Sequence, residues 1–258
     1  MTRDANGGPV LYWVIKATVG PVAKALFRPV VTGREHIPGS GPALIVGNHP
    51  SFSDSVFLSA IVPRRVTYVA KLEYFTGTGL KGRLKRFLVS GTGNIPIDRT
   101  GGRNAVSSLN GAEDRLAQGG LVCIYPEGTR PPDNRLYRGK TGAARIALAT
   151  RVPVIPVAML NTYEIQPPGK LIPKIRQVRI AVGAPIDLTP FVTMPEAVGA
   201  RALTDEIMAR LHALSGQEYV AMYAQDARKL TARGIRPPSE VTGPPAYDGQ
   251  PPPDGSPG

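Results

Sequence analysis

The sequence of 258 residues contains a single cysteine, Cys123. An internal disulfide and a cysteine-rich zinc site are therefore excluded, and a reducing compartment such as the cytosol is expected. Cys123 lies in a short apolar run, which favours a place in the core over a nucleophilic role. No Gly-x-Ser-x-Gly motif is present, which argues against a serine hydrolase. His49, Asp54 and Glu127 offer metal-ligand atoms, but no metal-ligand spacing relates them, so no metal site is expected.

Acidic residues are scarce, since 19 Asp and Glu stand against 31 Lys and Arg, and the formal net charge is +12. An excess of this size favours anionic partners such as lipid headgroups, phosphorylated substrates or nucleic acid. A generally basic, soluble surface is the alternative that composition leaves open. The sequence shows no ribbon of aromatic and basic residues of the kind that single-strand binders use, so nucleic acid is not expected as a partner.

An uninterrupted membrane-spanning run is not apparent either. The apolar segment of residues 10–27 contains Lys16, Lys24 and a central Gly-Pro pair, and no small-residue cleavage site marks a signal peptide. An interfacial helix or helix pair fits this segment, and a core helix with its lysines extended to solvent is the alternative. Residues 80–89 form a short basic amphipathic segment, which suits either a membrane surface or a solvated helix face.

Apolar runs bounded by Gly and Pro alternate with helical patterns along most of the chain. The predicted strands are residues 30–35, 42–46, 66–70, 93–99, 121–125, 152–158 and 178–182. The predicted helices are residues 55–62, 80–89, 103–118, 139–150, 195–214 and 218–231. This alternation predicts an α/β fold with a single largely parallel or mixed sheet flanked by helices.

The same patterns divide the chain into three parts. Residues 1–29 are predicted to be an N-terminal amphipathic helical segment that contacts a membrane. Residues 30–236 form the α/β domain. Residues 237–258 are rich in proline and glycine, and we expect them to be a disordered tail.

The most informative stretch is residues 47–54 (Gly-Asn-His-Pro-Ser-Phe-Ser-Asp), between a buried strand and a helix. His49 is a candidate general base, and Asp54 a candidate carboxylate that orients the imidazole. Residues five apart do not meet on one regular helix, but Pro50 holds His49 extended, so that its ring can fold back onto Asp54. The alternative is a helix cap at Ser53 or Asp54 beside an ordinary turn histidine.

Polar clusters follow four of the predicted strands. Because ligands collect beyond the carboxyl ends of strands in open α/β sheets, we expect these clusters to converge on one pocket. The clusters are His49 with Asp54, Lys71, Asp98 with Arg99, and Glu127 with Arg130.

Four blocks in this order resemble those of the glycerophospholipid acyltransferase family, typified by lysophosphatidic acid acyltransferases. Residues 49–54 match the family's His-x-x-x-x-Asp block. Residues 93–99 (Gly-Asn-Ile-Pro-Ile-Asp-Arg), 125–130 (Tyr-Pro-Glu-Gly-Thr-Arg) and 152–157 (Val-Pro-Val-Ile-Pro-Val) resemble the second, third and fourth blocks. Tyr125 replaces the usual Phe of the third block, and Pro131 replaces the Ser that usually follows it. Residues 70–79 resemble the corresponding stretch of actinobacterial members.

The resemblance implies an O-acyltransferase that converts lysophosphatidic acid to phosphatidic acid in phospholipid biosynthesis. His49 would deprotonate the free hydroxyl of the acceptor, which attacks the thioester of acyl-CoA or acyl-carrier protein directly. No cofactor and no metal are expected. Arg99 would bind the acceptor phosphate, with Lys71 and Arg130 as weaker candidates.

Glu127 and Gly128 complete the substrate-binding residues that the resemblance suggests, and Glu127 would bind acceptor hydroxyls or organise the arginines. The expected location is the cytoplasmic side of the cell membrane, with peripheral attachment to an anionic surface. Two alternatives stay open. One is an acyltransferase with another acceptor, such as glycerol-3-phosphate, another lysophospholipid or a glycolipid. The other is a non-enzymatic basic binding module.

Overall fold

The computed structural model of the protein describes residues 10–97, 109–170, 172–238 and 243–245. Its strands are β1 (Val30–Thr32), β2 (Ala43–Gly47), β3 (Val66–Lys71), β4 (Ile95–Ile97), β5 (Leu121–Ile124), β6 (Leu136–Tyr137), β7 (Val154–Met159), β8 (Arg179–Val182) and β9 (Tyr219–Val220). Its α-helices are α1 (Val10–Phe27), α2 (Asp54–Ile61), α3 (Glu73–Thr76), α4 (Gly79–Gly91), α5 (Asn110–Ala117), α6 (Gly142–Thr150), α7 (Thr162–Ile165), α8 (Thr189–Val192), α9 (Glu196–Ser215) and α10 (Ala224–Ala232).

Seven strands form one sheet in the order β1-β8-β7-β2-β5-β3-β4. Neighbouring strands are parallel except for β7 and β8, which are antiparallel. The predicted α/β fold with a largely parallel or mixed sheet is therefore confirmed. β2 lies in the middle of the sheet, and all of its residues are buried because helices cover both faces. The carboxyl ends of β2, β5, β3 and β4 lie at the same edge, where the segments that follow β2, β5 and β3 meet.

The alternation of side chains along β2 divides the core in two. Leu44 and Val46 face a core that they share with α5, α6 and α9. Ala43 and Ile45 face a second core, which they share with α1 and α2. Cys123 of β5 lies fully buried in this second core, and burial raises the pKa of its thiol. The interpretation of Cys123 as a core residue is confirmed.

The prediction of one helix over residues 218–231 is wrong at its start. Tyr219–Val220 forms β9, which pairs in parallel with Leu136–Tyr137 of β6, and α10 begins only at Ala224. The extended backbone is fixed from outside the segment, because the N–H of Leu136 donates to the carbonyl of Glu218 at 2.9 Å. Local helical pattern does not report this distant partner. The short elements β6, α3, α7 and α8 lie outside the predicted elements as well.

Other predictions fall partly on residues that are not described. Of the helix predicted over 103–118, the described part is α5, and Asp98 and Arg99 of the strand predicted over 93–99 lie outside the described residues. Most of the segment predicted as a tail lies outside them as well. The division of the chain at residues 29 and 236 stays a prediction.

Residues 10–27 form one continuous helix, α1, although Pro21 lies within it. By length and composition alone, α1 qualifies as a candidate membrane span. It packs along α2 through apolar side chains, among them Phe27 against Phe57, and polar contacts join it to the segment that follows α2. The ammonium of Lys16 donates to the carbonyl oxygens of Val62 and Arg64, at 2.6 and 2.8 Å, just beyond the carboxyl end of α2. Burial lowers the pKa of Lys16 to about 8, so that it is still largely charged at neutral pH.

Replacing Lys16 by Met should lower the free energy of unfolding by about 2 kcal/mol, because hydrogen bonds from a charged donor contribute about 1.5–3 kcal/mol. Urea unfolding followed by circular dichroism measures the change. Lys24→Met is the matched control, because Lys24 is exposed on the same helix, and it should change the free energy by less than about 0.5 kcal/mol. Equal effects of the two substitutions would contradict the role assigned to Lys16.

Candidate active site

His49 and Asp54 are in contact at the end of β2. Nδ1 of His49 lies 2.9 Å from Oδ2 of Asp54, and the same oxygen accepts the backbone N–H of Ser51 at 2.8 Å. Asp54 is fully buried, whereas the side chain of His49 is 19% exposed. A carboxylate partner at Nδ1 assigns the proton to that nitrogen and leaves Nε2 as the acceptor. The contact predicted from the turn at Pro50 is present.

The ring of Tyr125 packs against one face of the imidazole of His49. The two rings are stacked, with centroids 3.9 Å apart and planes inclined by 7°. The hydroxyl of Tyr125 is hydrogen-bonded to the hydroxyl of Ser55 in α2, at 3.1 Å. Gly47 leaves room for this arrangement, since a Cβ there would lie 3.4 Å from Cε1 of Tyr125 and 3.1 Å from the carbonyl oxygen of Val157.

Sequence reasoning noticed Tyr125 only as a departure from the family's third block. The pairing of strands in the sheet explains the stacking of Tyr125 on His49. β2 and β5 are parallel neighbours with Val46 opposite Ile124, so the residues that follow the two strands lie side by side. That pairing becomes readable only once the strand order is known.

Glu127 lies buried behind His49 and outside the lining of the cavity described below. Burial raises its pKa to about 8, although hydrogen bonds from the backbone N–H groups of Tyr137 and His49 oppose the shift. Its Oε2 accepts the N–H of Tyr137 at 3.1 Å. This placement suits a residue that fixes the backbone of His49 rather than one that touches a substrate.

A cavity of about 770 Å³ opens beside His49 at this edge of the sheet. Its wall is rich in basic side chains, and those that line it are Lys71, Arg130, Lys140, Arg228 and Lys229. Glu73 also lines it and pairs with Lys71. The guanidinium of Arg130 lies 5.8 Å from the ring centroid of Phe52. The cavity therefore suits an anionic ligand with an apolar part.

The structure brings together most of the predicted site residues. His49, Lys71, Gly128 and Arg130 all line the cavity. Gly128 has a φ of +74°, and a Cβ there would come within 3.3 Å of Cδ of Lys140. Asp54 and Glu127 lie behind His49, and Arg99 lies outside the described residues. The catalytic roles of His49 and Asp54, and the substrate-binding roles of the other predicted residues, stay predictions. Sequence reasoning missed Arg228 and Lys229, which no motif marks, and Lys140, whose Gly-Lys-Thr triplet lacks the earlier glycine of a phosphate-binding P-loop.

Among the described residues, no group of three His, Cys, Asp or Glu side chains is placed to hold a metal ion. The chemistry that the site can support is that of a histidine base with a buried carboxylate partner, next to a basic pocket.

Comparison with known proteins identifies the family of this α/β domain. Residues 28–160 match the family model described as Acyltransferase. The chain belongs to the acyltransferase family.

The similar proteins carry a common name. The chain is 31% identical over 144 residues to a chloroplastic 1-acyl-sn-glycerol-3-phosphate acyltransferase of Brassica napus, which covers 55% of this chain and 40% of that protein. It is 33% identical over 140 residues to the human alpha enzyme of the same name, covering 53% and 47%. The chain thus spans less than half the length of these two relatives. The Bacillus subtilis protein of that name is 26% identical over 188 residues, covering 72% and 88%.

The fold is similar to that of a solved structure, the 1-acyl-sn-glycerophosphate acyltransferase PlsC of Thermotoga maritima. The TM-score is 0.59 with 24% identity, over 86% of this chain and 80% of that one. The resemblance to the acyltransferase family is confirmed, and the actinobacterial type stays a prediction.

The buried carboxyl of Glu127 should make stability depend on pH. Its pKa of about 8 lies above the ordinary value of 4.5, so the folded state retains a proton that the unfolded chain releases. The stabilisation is therefore complete below pH 4.5 and is lost as the pH rises towards 8. Because Gln cannot titrate, Glu127→Gln should gain stability relative to the wild type across this window, by at most about 1.4 kcal/mol per pH unit.

Urea unfolding at several pH values across this window measures the difference. Glu35→Gln is the control, because Glu35 is exposed, and its difference from the wild type should stay nearly constant. A constant difference for Glu127→Gln as well would show that the carboxyl is ionised in the folded protein.

Proposed function

We propose that the protein is an O-acyltransferase that moves a fatty acyl group from acyl-CoA or acyl-carrier protein to the free hydroxyl of lysophosphatidic acid. The product is phosphatidic acid. The observation that carries the proposal is the contact between His49 and buried Asp54, beside a basic cavity, in a chain of the acyltransferase family. The names of the relatives support a phosphorylated acceptor.

In the proposed reaction, Nε2 of His49 accepts the proton of the acceptor hydroxyl as its oxygen attacks the thioester carbonyl. A C–O bond forms, and the C–S bond breaks when the tetrahedral intermediate collapses. His49 then returns the proton to the departing thiolate, so that free thiol leaves. Asp54 stabilises the imidazolium that exists between the two transfers, and Tyr125 keeps the ring in its plane.

The acceptor phosphate is proposed to bind to the basic side chains at the strand ends. Arg99 follows β4 in sequence, and Lys71 and Arg130 line the cavity itself. A guanidinium suits a phosphate because it donates two parallel hydrogen bonds. Glycerol-3-phosphate carries the same group and is the alternative acceptor, whereas a glycolipid acceptor would leave these cations without a role.

Peripheral attachment to the cytoplasmic side of the cell membrane is part of the proposal. On α4, the side chains of Leu80, Leu84, Phe87 and Leu88 are exposed and share one face of the helix. α4 contacts the likewise apolar α1, while Val89 lines the cavity. A helix that meets lipid with one face and forms the cavity wall with another would bring an acyl chain close to His49.

His49→Ala should lower the turnover number by two or more orders of magnitude, the usual effect of losing a general base. Asp54→Asn should also lower it, because the tautomer of His49 is no longer fixed. The assay uses labelled oleoyl-CoA with lysophosphatidic acid, glycerol-3-phosphate and other lysophospholipids as acceptors. His36→Ala is the matched control, since His36 lies outside the cavity lining and should leave turnover nearly unchanged. Near-normal turnover in His49→Ala would remove His49 from the mechanism.

The wild-type protein should sediment with phosphatidylcholine vesicles that contain phosphatidylglycerol, and less so as salt screens the charges. The double substitution Leu84→Glu with Phe87→Glu should abolish sedimentation, because it places two charges on the apolar face of α4. Ile235→Glu is the control, as an exposed isoleucine away from α4. Salt-insensitive binding to neutral vesicles would indicate insertion instead, and no binding at all would contradict peripheral attachment.

A further inference from the structure

The helix α10 closes one side of the cavity that contains His49. Gln225, Arg228 and Lys229 of α10 all line this cavity. Their spacing of i, i+3 and i+4 places them on one face of the helix. α10 lies well beyond residues 28–160, the segment that matches the family model. Part of the cavity wall is therefore built by a region that the family model does not include.

The position of α10 is set by packing that is independent of any ligand. On an adjoining face, α10 buries Ala224 and Ala227 in a small core with Tyr137 and Val220. Tyr137 and Val220 are paired across β6 and β9. Since the loop after β5 leads into β6, this core fixes α10 beside that loop.

Two arginines line the cavity on this side of α10, and the side chain of one contacts the backbone of the other. Nη1 of Arg228 donates to the backbone carbonyl of Arg130, at 3.4 Å, and both side chains line the cavity. Lys229 is already paired with Asp226 at 2.9 Å. In the described part of the chain, no ion pair includes Arg130 or Arg228.

Two positive side chains that line one cavity, neither paired with a carboxylate of the described residues, repel one another, and a bound dianion relieves that repulsion. The phosphate group fits this role best, because a guanidinium binds two of its oxygens at once. We propose that Arg228, together with Arg130, binds a phosphate group of a substrate, which makes α10 a substrate-binding element. The inference rests on the proposed function and adds to it a specificity-determining residue. A phosphate of the acceptor and a phosphate of a coenzyme A donor offer the same chemistry.

The test compares the wild type with Arg228→Ala, Arg228→Lys and Arg233→Ala. Arg233 is the matched control, because it lies at the end of the same helix and does not line the cavity. Equilibrium binding of coenzyme A and of sub-micellar lysophosphatidic acid is measured by titration calorimetry. Michaelis constants are measured with each substrate varied in turn. Arg228→Ala should weaken the binding of one ligand, and raise its Michaelis constant, by about tenfold, with a much smaller change in turnover.

Arg228→Lys should restore part of the affinity, because an ammonium keeps the charge but not the two parallel hydrogen bonds. Arg233→Ala should bind both ligands as the wild type does. An effect on lysophosphatidic acid alone supports the inference and assigns the acceptor phosphate, whereas an effect on coenzyme A alone supports it and assigns the donor.

Unchanged binding of both ligands to Arg228→Ala, or equal weakening of both, would overturn the inference. If the wild type still transfers acyl groups in that case, the proposed function stands and only the role of Arg228 is lost. A wild-type protein that binds coenzyme A or lysophosphatidic acid through Arg228 but transfers no acyl group would instead retain the phosphate site and refute the proposed function.

Discussion

The arrangement at the end of β2 depends on the burial of one negative charge, the carboxylate of Asp54. A buried carboxylate is strongly unfavourable unless hydrogen bonds and a positive partner compensate for its lost hydration. Oδ2 of Asp54 receives such bonds from the backbone of Ser51 and from His49, and the first turn of α2 adds the favourable end of the helix dipole. Oδ1 is buried without a hydrogen-bond partner in the described part of the chain. Because buried Asp54 needs the hydrogen bond from His49, folding itself holds the imidazole in place, whether or not a substrate is bound.

Three further contacts restrain the same histidine. Tyr125 stacks on its ring, Glu127 accepts its backbone N–H, and Pro50 restricts its backbone. These contacts come from different strand ends that the sheet order brings together. In the proposed reaction, a base restrained in this way needs little further ordering when a substrate binds.

The predictable parts of the structure are those that local pattern encodes. Strands such as β2 and β5 appear in the sequence as short apolar runs between Gly and Pro, and the turn of His49 onto Asp54 follows from Pro50. The features that the sequence does not predict are set by contacts with residues far away in the chain. The sequence neighbours of Glu127 do not indicate that its side chain is buried, because the backbone N–H of Tyr137, which donates to it, belongs to another element. No motif marks Arg228, since its place at the cavity is decided by packing on an adjoining face of α10.

The burial of Cys123 has a practical consequence. Its thiol is fully enclosed in the core, and its raised pKa keeps it in the unreactive protonated form near neutral pH. Because it is also the sole cysteine of the chain, thiol reagents have no accessible native target in the folded protein. A cysteine introduced on α4 or α10 would accept a spin label or fluorophore at one defined position, with the native sequence otherwise intact. Such labels would measure whether α4 enters a bilayer and whether a bound ligand approaches α10.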